Sequence, residues 1–550
     1  MNPWPKAFTF ARLRPILFWV VIAGLSFAGL GRGLWTPDEP REAEIGREML
    51  LHPGFVPHLN TKPFFEKPPL YYWALAGAYA VGGVSETSAR AVSGAMGLAT
   101  LLLIFGWARK DASREVAYMA VFILATCVQF FQSTHWVLLD PMLMFWVVLA
   151  LWGAWSALSQ GPRGASLAAL YGGLCLAVWT KGLIGVALPA AGLLLFLLLR
   201  RKDALMGRLR PVLGAVFMTV FIGLCLWAFY VAEGRDALYQ LVWVNHVERF
   251  IRPSTTGHAQ PFYYYLHALL VAVLPWLLPF LALFRPSFWR RDTAEGPASL
   301  KTFLACVVGG GVLLLSLAST KRETYLLPLI PPLAMLMALA LEEALRRGGA
   351  ALDGADRWLF GRVQPLLLSL WGLAVPAALV VYTRSPRPAY VTLLAAGLLA
   401  GLTGIYFGLK ARLPQAWDAH RVSAALMCAA ALAAAVPVAE AQKNMAPFCR
   451  WAGVAVPGRG PIPALGADET LCGIIPFTTG RWIESLTAAQ WAGRISSGDT
   501  PPYLLEQSGA GRGDEGMSRA GYSVLGERQF GPGRTLRLWR LTKQTERAPP

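Results

Sequence analysis

The apolar run PILFWVVIAGLSFAGLG (15–31) is followed closely by the acid-rich stretch LWTPDEPREAEIGREML (34–50). The apolar run is long enough to cross the hydrocarbon core of a bilayer as a helix. The acid-rich stretch carries five carboxylates between Asp38 and Glu48. Charges at a membrane boundary are costly unless they are paired or used, so this junction is a candidate functional segment.

The rest of the chain repeats the apolar pattern. Of its 550 residues, 55% are hydrophobic and 15% charged, and the mean hydropathy is +0.45. Apolar runs of about 17–22 residues recur, and in lipid they must be helices because every backbone polar group needs an internal partner. We count thirteen runs, near 15–31, 88–107, 115–133, 141–158, 165–180, 183–199, 211–231, 262–284, 302–318, 325–342, 364–382, 389–409 and 422–439. The sequence therefore predicts a polytopic α-helical membrane protein with about 13 transmembrane helices.

The basic loops orient the helices. With the N-terminus in the cytoplasm, Arg109-Lys110, Arg114 and the later basic loops face inward, as the positive-inside rule requires. The first run is expected to stay as a helix, because no small-residue cleavage site follows it. The short, proline-initiated stretch 68–83 must then be an interfacial helix. The net charge of +18 is assigned to loops at the membrane surface, and no soluble basic domain suggests nucleic-acid binding.

The composition changes after the last apolar run, which predicts two domains. Residues 1–440 form the membrane domain, with periplasmic juxtamembrane helices at about 36–84 and 232–261. Residues 441–550 form a small periplasmic α/β domain. Its expected strands are LCGIIPFTTG (471–480), PPYLLEQ (501–507), GYSVLGERQF (521–530) and RTLRLWRLT (534–542), and its expected helix is IESLTAAQWAGRI (483–495). Outside the cytoplasm, Cys449 and Cys472 could form a disulfide.

In this orientation, the polar stretches near the apolar runs all lie on the outer side. They are TPDEPREAE (36–44), FFEKPPLYYW (64–73), HWVLLDP (135–141), WTKG (179–182), WVNHVERFIRPSTTGH (243–258) and STKRETYLLP (319–328). Scattered loop charges would not sort to one face, so we expect a binding site there.

The acids in these stretches have a structural and a functional interpretation. Asp38 or Glu39 can cap a helix over about 40–51, or project into a cavity and accept a proton. Asp140, before Pro141, can likewise cap its helix or supply a second site acid. Glu44 and Glu48 lie one turn apart and are expected to face solvent, paired with Arg41 and Arg47.

The cations on the same side suggest a phosphate ligand. Lys67 neighbours Glu66, and Arg249 and Arg252 lie three residues apart. Guanidinium and ammonium groups bind phosphate oxygens, although basic residues at an interface also snorkel to headgroups. Lys181 and Lys321 each sit in a tight turn between apolar segments. Acids and cations around an apolar groove suit a lipid-linked phosphate substrate.

Two histidines are possible metal ligands. His246 and His258 could bind Zn²⁺ with Glu66, since imidazole and carboxylate suit that ion. Nothing in their spacing specifies a site, and ordinary loop histidines are the alternative.

Several of these motifs resemble one family in order along the chain. PDEPREAEIGREML (37–50), FEKPPLYYW (65–73), LLDP (138–141), TKG (180–182), HVERF (246–250) and STKRETYLLPLIPPLA (319–334) resemble bacterial GT-C glycosyltransferases that use polyprenyl-phosphate sugars. The most similar group is the lipid A aminoarabinose transferases, which are related to protein O-mannosyltransferases. The resemblance spans about residues 34 to 335. One departure is that Pro40 and Glu42 stand where aminoarabinose transferases carry Thr and Tyr.

The resemblance implies an inverting transferase of the bacterial inner membrane, acting as a monomer. It would move 4-amino-4-deoxy-L-arabinose from undecaprenyl phosphate to lipid A phosphate on the periplasmic side, or another sugar to a glycan or protein hydroxyl. The implied catalytic residues are Asp38, Glu39 and Asp140. The implied carrier-phosphate and substrate residues are Lys67, Arg249, Arg252 and Tyr325, joined by Lys181, Lys321 and Tyr71. Glu66 and His246 fall near an expected zinc.

A secondary transporter or lipid flippase is the alternative from another class. Transporters place polar sites near the membrane midplane on broken helices, often with internal repeats. Here the charged motifs cluster at one face, which favours group transfer.

Overall fold

Long apolar helices make up most of the chain before residue 436. The structure is a computed structural model that describes residues 6–200, 203–248, 260–289, 299–346, 388–410, 413–430, 436–508, 520–530 and 533–542, with a few isolated positions between them. The helices up to residue 248 are α1 (Lys6–Phe27), α2 (Asp38–Leu51), α3 (Leu70–Gly82), α4 (Glu86–Asp111), α5 (Arg114–Thr126), α6 (Val128–Thr134), α7 (Asp140–Gln160), α8 (Gly164–Lys181), α9 (Ile184–Arg200), α10 (Asp203–Leu209), α11 (Pro211–Tyr239) and a π-helix (Gln240–Glu248).

Further helices follow towards the C-terminus. They are α12 (Tyr264–Ala272), α13 (Leu277–Ala282), α14 (Pro286–Trp289), α15 (Leu300–Leu317), a 3₁₀ helix (Glu323–Leu329), α16 (Ile330–Arg346), α17 (Pro388–Leu409), α18 (Leu413–Ala430), α19 (Val436–Lys443), α20 (Ala446–Ala455), α21 (Glu469–Thr479) and α22 (Ala488–Ser497).

Several of these helices can span a membrane. In the described part of the chain, five are long and apolar enough, or six if α5 and α6 count as one span: Glu86–Asp111, Asp140–Gln160, Met206–Asn245, Leu300–Leu317 and Glu323–Ala344. The predicted span 364–382 lies outside the described residues. The helical membrane architecture is therefore confirmed, and the count of thirteen stays a prediction.

Two predicted continuous spans are broken. The span predicted at 115–133 is divided at Cys127, where the backbone is extended and α6 turns by 66° from α5. The span predicted at 262–284 is divided between α12 and α13, next to Pro275. Proline lacks the N–H that a continuing helix needs. A run of apolar letters does not reveal such breaks.

Helices α7 and α8 form an antiparallel pair that brings two candidate residues together. They pack closely through small residues: a Cβ at Gly153 would lie 2.5 Å from the backbone nitrogen of Leu170, and one at Gly173 would lie 2.8 Å from the carbonyl oxygen of Trp146. Glycine at such positions lets two membrane helices approach each other. The pairing brings the first residue of α7, Asp140, to the last residue of α8, Lys181.

The C-terminal residues contain a five-stranded sheet. Its strands are β3 (Ile462–Leu465), β4 (Ile483–Leu486), β5 (Tyr503–Ser508), β6 (Tyr522–Gln529) and β7 (Thr535–Leu541), in the order β4-β3-β5-β7-β6. β3 runs parallel to β4 and β5, and β7 is antiparallel to β5 and β6. A short hairpin, β1 (His58–Leu59) and β2 (Lys62–Pro63), lies nearer the N-terminus.

One strand prediction is wrong. The stretch 471–480 lies in helix α21 and the turn after it. The Asp468 side chain caps this helix by accepting from the Leu471 N–H, and Gly480, in the left-handed region, ends it. A short apolar run fits either a strand or a buried helix, and the Asp before it was the cap signal. The strands β5, β6 and β7 lie where they were expected. The helix expected at 483–495 is only partly correct, because Ile483–Leu486 form strand β4 and helix α22 begins at Ala488. Strands β3 and β4 were not predicted.

The chain divides into two compact units. The first contains residues 1–30, 65–71 and 90–436, and the second contains 31–64, 72–89 and 437–550. The acid-rich helix α2 thus belongs to the same unit as the C-terminal sheet. The predicted boundary at residues 440 and 441 stays a prediction. Cys449 and Cys472 are both free thiols.

Candidate active site

Asp38 is the first residue of α2, in the second unit. Pro37 is the N-cap and no side chain caps the helix, so Asp38 does not have the capping role that its sequence position allowed. The Oδ1 atom of Asp38 lies 3.3 Å from a guanidinium nitrogen of Arg41, one turn along. A carboxylate in the first turn is also favoured by the positive end of the helix. Asp38 is 9% exposed.

Glu39 is fully buried and supports the backbone that precedes α2. Its Oε2 atom accepts from the Arg32 guanidinium at 2.7 Å and from the Trp35 backbone N–H at 2.8 Å. Its Oε1 atom accepts from Arg32 at 3.3 Å. The Arg32 guanidinium also stacks on the Trp35 ring, 3.6 Å from the centroid. Glu39 therefore fixes the segment from Arg32 to Trp35, which precedes Asp38. The sequence motif alone did not indicate this role.

Arg41 is the centre of an ionic cluster on α2. Its guanidinium pairs with Asp38, with Glu42 and, at 2.7 Å, with Glu469 of α21. The Tyr72 hydroxyl donates to the other oxygen of Glu42 at 2.7 Å. Burial opposes the charge of Arg41, but these carboxylates raise its pKa well above the ordinary value. Arg41 therefore joins the start of α2 to α21.

The expectation that Glu44 and Glu48 face solvent is wrong. Their residues are 0% and 2% exposed. Both oxygens of Glu44 accept from Arg47 at 2.7 Å. Glu48 accepts from the backbone N–H groups of Asn60 and Thr61. Helical spacing could not show that the hairpin loop bonds to Glu48.

Glu44 is expected to make stability depend on pH. Burial, only partly offset by Arg47, raises its pKa from 4.5 to about 8. Between those values the folded state holds a proton that the unfolded state releases, so this contribution to stability falls as pH rises. Thermal unfolding is measured at pH 5, 7 and 9 for the wild type and for Glu44→Gln. The melting temperature of Glu44→Gln should rise relative to that of the wild type as the pH rises.

The control for this measurement is Glu484→Gln. Glu484 has a side chain that is 41% exposed and pairs with Arg494. Loss of the Glu44–Arg47 pair adds a constant offset to Glu44→Gln, so only the trend with pH is informative. A difference from the wild type that stays constant from pH 5 to 9 would contradict the raised pKa.

Asp140, Lys181 and Tyr325 form a second cluster, in the first unit. The Lys181 ammonium lies 2.6 Å from Oδ1 of Asp140 and 4.9 Å from the centroid of the Tyr325 ring. The two charged side chains are 6% and 13% exposed, Asp140 being the more buried. Leu139 is the N-cap of α7 and no side chain caps it, so Asp140 does not act as a cap. The pair joins a buried carboxylate to a half-buried ammonium beside a phenol.

The Tyr71 hydroxyl contacts Ser93, which hydrogen-bonds to the backbone just before Asp140. The Tyr71 hydroxyl is fully buried and lies 3.5 Å from the Ser93 hydroxyl. Ser93 in turn donates to the carbonyl oxygen of Leu138 and accepts from its N–H. Leu138 is two residues from Asp140, so this chain of contacts can fix the start of α7. No motif in the sequence pointed to Ser93.

Of the remaining predicted site residues, some lie in the described part of the chain and others do not. Lys321 is 4% exposed, and its ammonium donates to the carbonyl oxygens of Ala318 and Gln260. Burial lowers its pKa. Glu66 and Lys67 lie half-buried in the turn before α3. Arg249, Arg252 and His258 lie outside the described residues, as does the side chain of His246.

The zinc prediction has no support from the described side chains. Among them, no three His, Cys, Asp or Glu residues are grouped as a metal site would require. The side chain of His246, one of the two proposed ligands, lies outside the described residues. We therefore derive no step through a metal.

The predicted site residues fall into two groups. Asp38 and Glu39 lie together in the second unit. In the first unit, Lys181 contacts both Asp140 and Tyr325. The same unit also contains Lys67, Tyr71 and Lys321. In the first group Asp38 pairs with Arg41, whereas both oxygens of Glu39 are already engaged. The second group places an ammonium beside a carboxylate and a phenol.

The family comparison covers half of the chain. Residues 11–290 match the model of the dolichyl-phosphate-mannose-protein mannosyltransferase family. The match includes the segments that carry Asp38, Lys67, Asp140 and Lys181.

The chain is similar to proteins named as aminoarabinose transferases. The chain is 33% identical over 358 residues to the undecaprenyl phosphate-α-4-amino-4-deoxy-L-arabinose arabinosyl transferase of Erwinia tasmaniensis, over 62% of this chain and 63% of that protein. It is 34% identical over 400 residues to the protein of that name in Pseudomonas aeruginosa, over 69% of each. The matched region thus spans slightly less than two thirds of the Erwinia relative.

The fold has a solved counterpart. ArnT from Cupriavidus metallidurans, in crystals with undecaprenyl phosphate and in the apo state, superposes with a TM-score of 0.76 at 20% identity, over 96% of this chain and 98% of that one. The similarity identifies a helical GT-C fold. With the match over residues 11–290, it leads to the conclusion that the chain belongs to the dolichyl-phosphate-mannose-protein mannosyltransferase family, in the bacterial GT-C superfamily that the motifs predicted.

Proposed function

We propose that this protein is an inverting glycosyltransferase that moves 4-amino-4-deoxy-L-arabinose from undecaprenyl phosphate to a phosphate of lipid A. The observation that carries the proposal is the 34% identity to an aminoarabinose transferase over 400 residues. The clusters at Asp38 and at Asp140–Lys181 supply the carboxylate and cations that this chemistry needs.

The reaction is a displacement at the anomeric carbon of the sugar. An acceptor oxygen forms a bond to that carbon while the bond to the carrier phosphate breaks, and the electron pair leaves with undecaprenyl phosphate. The leaving group is a phosphate, so it needs charge stabilisation more than protonation. Lys67, Arg249 and Arg252 are proposed to supply it, helped by Lys181, Lys321 and Tyr325.

Asp38 is proposed to act on the acceptor. A lipid A phosphate is already ionised at neutral pH, so Asp38 would position it, for example by pairing with the amino group of the sugar. An acceptor hydroxyl would instead need Asp38 as a general base. Asp140 is proposed to hold Lys181 and to supply the second acid of the site.

The placement in the cell is part of the proposal. The positive-inside pattern supports thirteen spans in the inner membrane with the N-terminus in the cytoplasm. Asp38, the substrate-binding cations and the C-terminal α/β domain would then all face the periplasm. The protein is proposed to act as a monomer.

A second candidate is transfer of a sugar to a protein or glycan hydroxyl. The specific observation in its favour is the match to a family described by mannose transfer to protein. Both candidates use the same leaving group and differ in the acceptor.

The test is transfer by the full chain in detergent. The purified protein is given undecaprenyl-phosphate aminoarabinose with either lipid A or a hydroxyl-bearing acceptor, and products are identified by mass spectrometry. Modified lipid A is the expected result. Product only with the hydroxyl acceptor would support the second candidate, and no new glycosidic product with any acceptor would overturn both. Envelope lipids of cells with and without the gene identify the acceptor in vivo.

A further inference from the structure

Glu440 holds the backbone that leads to Asp38. It lies in α19, and its carboxylate accepts from the Gly33 N–H at 2.8 Å and from the Trp35 indole N–H at 2.6 Å. The side chain of Asn444 donates to the same carboxylate at 2.8 Å. Both oxygens of Glu440 are therefore engaged, and two of its three donors belong to the segment before α2.

Gly33 and Asn444 bring the two segments into close approach. Trp35 and Asn444 form an isolated antiparallel bridge between their backbones. A Cβ at position 33 would lie 2.2 Å from the side-chain nitrogen of Asn444, so only glycine fits there without a shift. The two segments are thus joined both by hydrogen bonds and by close packing of Gly33 against Asn444.

The contacts continue from Trp35 towards Asp38. The Trp35 backbone N–H donates to Glu39 at 2.8 Å, and Arg32 stacks on the Trp35 ring while pairing with Glu39. Trp35 is 6% exposed and Glu39 is fully buried, so water competes little for these bonds. A continuous path of side-chain and backbone contacts therefore runs from Glu440 through Trp35 to Glu39, the neighbour of Asp38.

We propose that Glu440 is a positioning residue for Asp38, which deepens the proposed function and rests on the role given there to Asp38. A catalytic carboxylate must be held in its productive geometry, and a displacement of about 1 Å can lower a rate about 100-fold. The residues just after the last membrane span thus contribute to the chemistry through the segment 33–39.

The first experiment compares Glu440→Gln with the wild type in the transfer assay. A glutamine oxygen can still accept from Gly33 and Asn444, but its amide N–H groups then face the indole N–H of Trp35, which leaves two donors in opposition. We expect kcat to fall about 10- to 100-fold, while KM for the lipid-linked donor changes less than about twofold. Glu484→Gln, at an exposed carboxylate, is the control and should keep the wild-type rate.

A rescue variant tests the proposed contact directly. Trp35→Phe removes the indole N–H but keeps a ring beneath Arg32. On its own it should lower kcat, because Glu440 loses one donor. In the Glu440→Gln background it should raise kcat, because the opposed donors are gone. A double variant no faster than Glu440→Gln would contradict this contact.

Hydrogen exchange gives a readout that needs no substrate. Amides of peptides within 31–41 should exchange faster in Glu440→Gln, whereas those of β5 and β7 should not change. Wild-type exchange in 31–41 together with wild-type kcat would overturn the proposal. So would loss of protection throughout 437–541 in both Glu440→Gln and the milder Glu440→Asp, because Glu440 would then hold the whole unit. If the wild type transfers no sugar, the proposed function fails. Hydrogen exchange then still shows whether Glu440 stabilises the segment 31–41.

Discussion

Replacing Asp38 by Asn is expected to lower transfer to a hydroxyl acceptor by about 10²–10⁴-fold, the usual contribution of a general base. Asn is nearly isosteric, and its carbonyl oxygen can still accept from Arg41, which lies 3.3 Å from Asp38 in the wild type. The first turn of α2 should therefore keep its place. What is lost is the negative charge and the ability to take a proton.

Transfer to a lipid A phosphate should be less sensitive to the same change. A phosphate is already ionised, so Asp38 only orients the reactants, and the loss should be at least about tenfold smaller than with a hydroxyl. The measurement is initial rates of the same purified variant with both acceptor classes. The ratio of the two losses separates a general base from a positioning group.

The matched control is Asp499→Asn, at an exposed position of the same unit. It makes the same chemical change and should leave both rates at the wild-type level. Equal losses of Asp38→Asn with both acceptors would remove the distinction between the two roles. Full activity with both would show that Asp38 takes no part in the reaction.

The sequence predicted the membrane class and many of the elements, because long apolar runs are a local signal. It did not predict the break at Cys127 or the division between α12 and α13. Those breaks depend on packing and on a single proline, and hydropathy averages over both. The stretch 471–480 was assigned to a strand because a short apolar run has no decisive period, although Asp468 marked a helix start.

The contacts between site residues were also hard to predict, because most of them join residues that are distant in sequence. Motifs pointed to Asp38 and Asp140, since acids beside proline at the ends of apolar runs are visible locally. The partner of Asp140, Lys181, was singled out as a lone cation, but only the pairing of α7 with α8 shows the contact. Ser93 and Glu440 gave no local signal, because the segments they hold are 45 and about 400 residues away in sequence. Such roles need the fold.

Removing either partner of the Asp140–Lys181 pair is expected to destabilise the protein strongly. Removing one partner of a buried ion pair leaves an uncompensated charge and typically costs about 3–5 kcal/mol. Lys181 is half-buried, so we expect a loss at the lower end of this range. It should follow both from Lys181→Met, which leaves the Asp140 charge unpaired, and from Asp140→Asn, which leaves the Lys181 charge unpaired. Thermal unfolding in detergent measures both losses. Ser159→Ala, at an exposed residue whose hydroxyl donates to the Trp155 carbonyl within α7, is the control for a small polar loss in the same helix.

The double variant Asp140→Asn/Lys181→Met separates stability from chemistry. With both charges gone, no unpaired charge remains, so most of the lost stability should return. Transfer should not return, because the cation beside Tyr325 that is proposed to face the carrier phosphate is missing. Recovery of stability with kcat still reduced at least about 100-fold would fit a role in charge stabilisation. If activity returns along with stability, the pair only joins α7 to α8, and the anion-binding role of Lys181 must be given up.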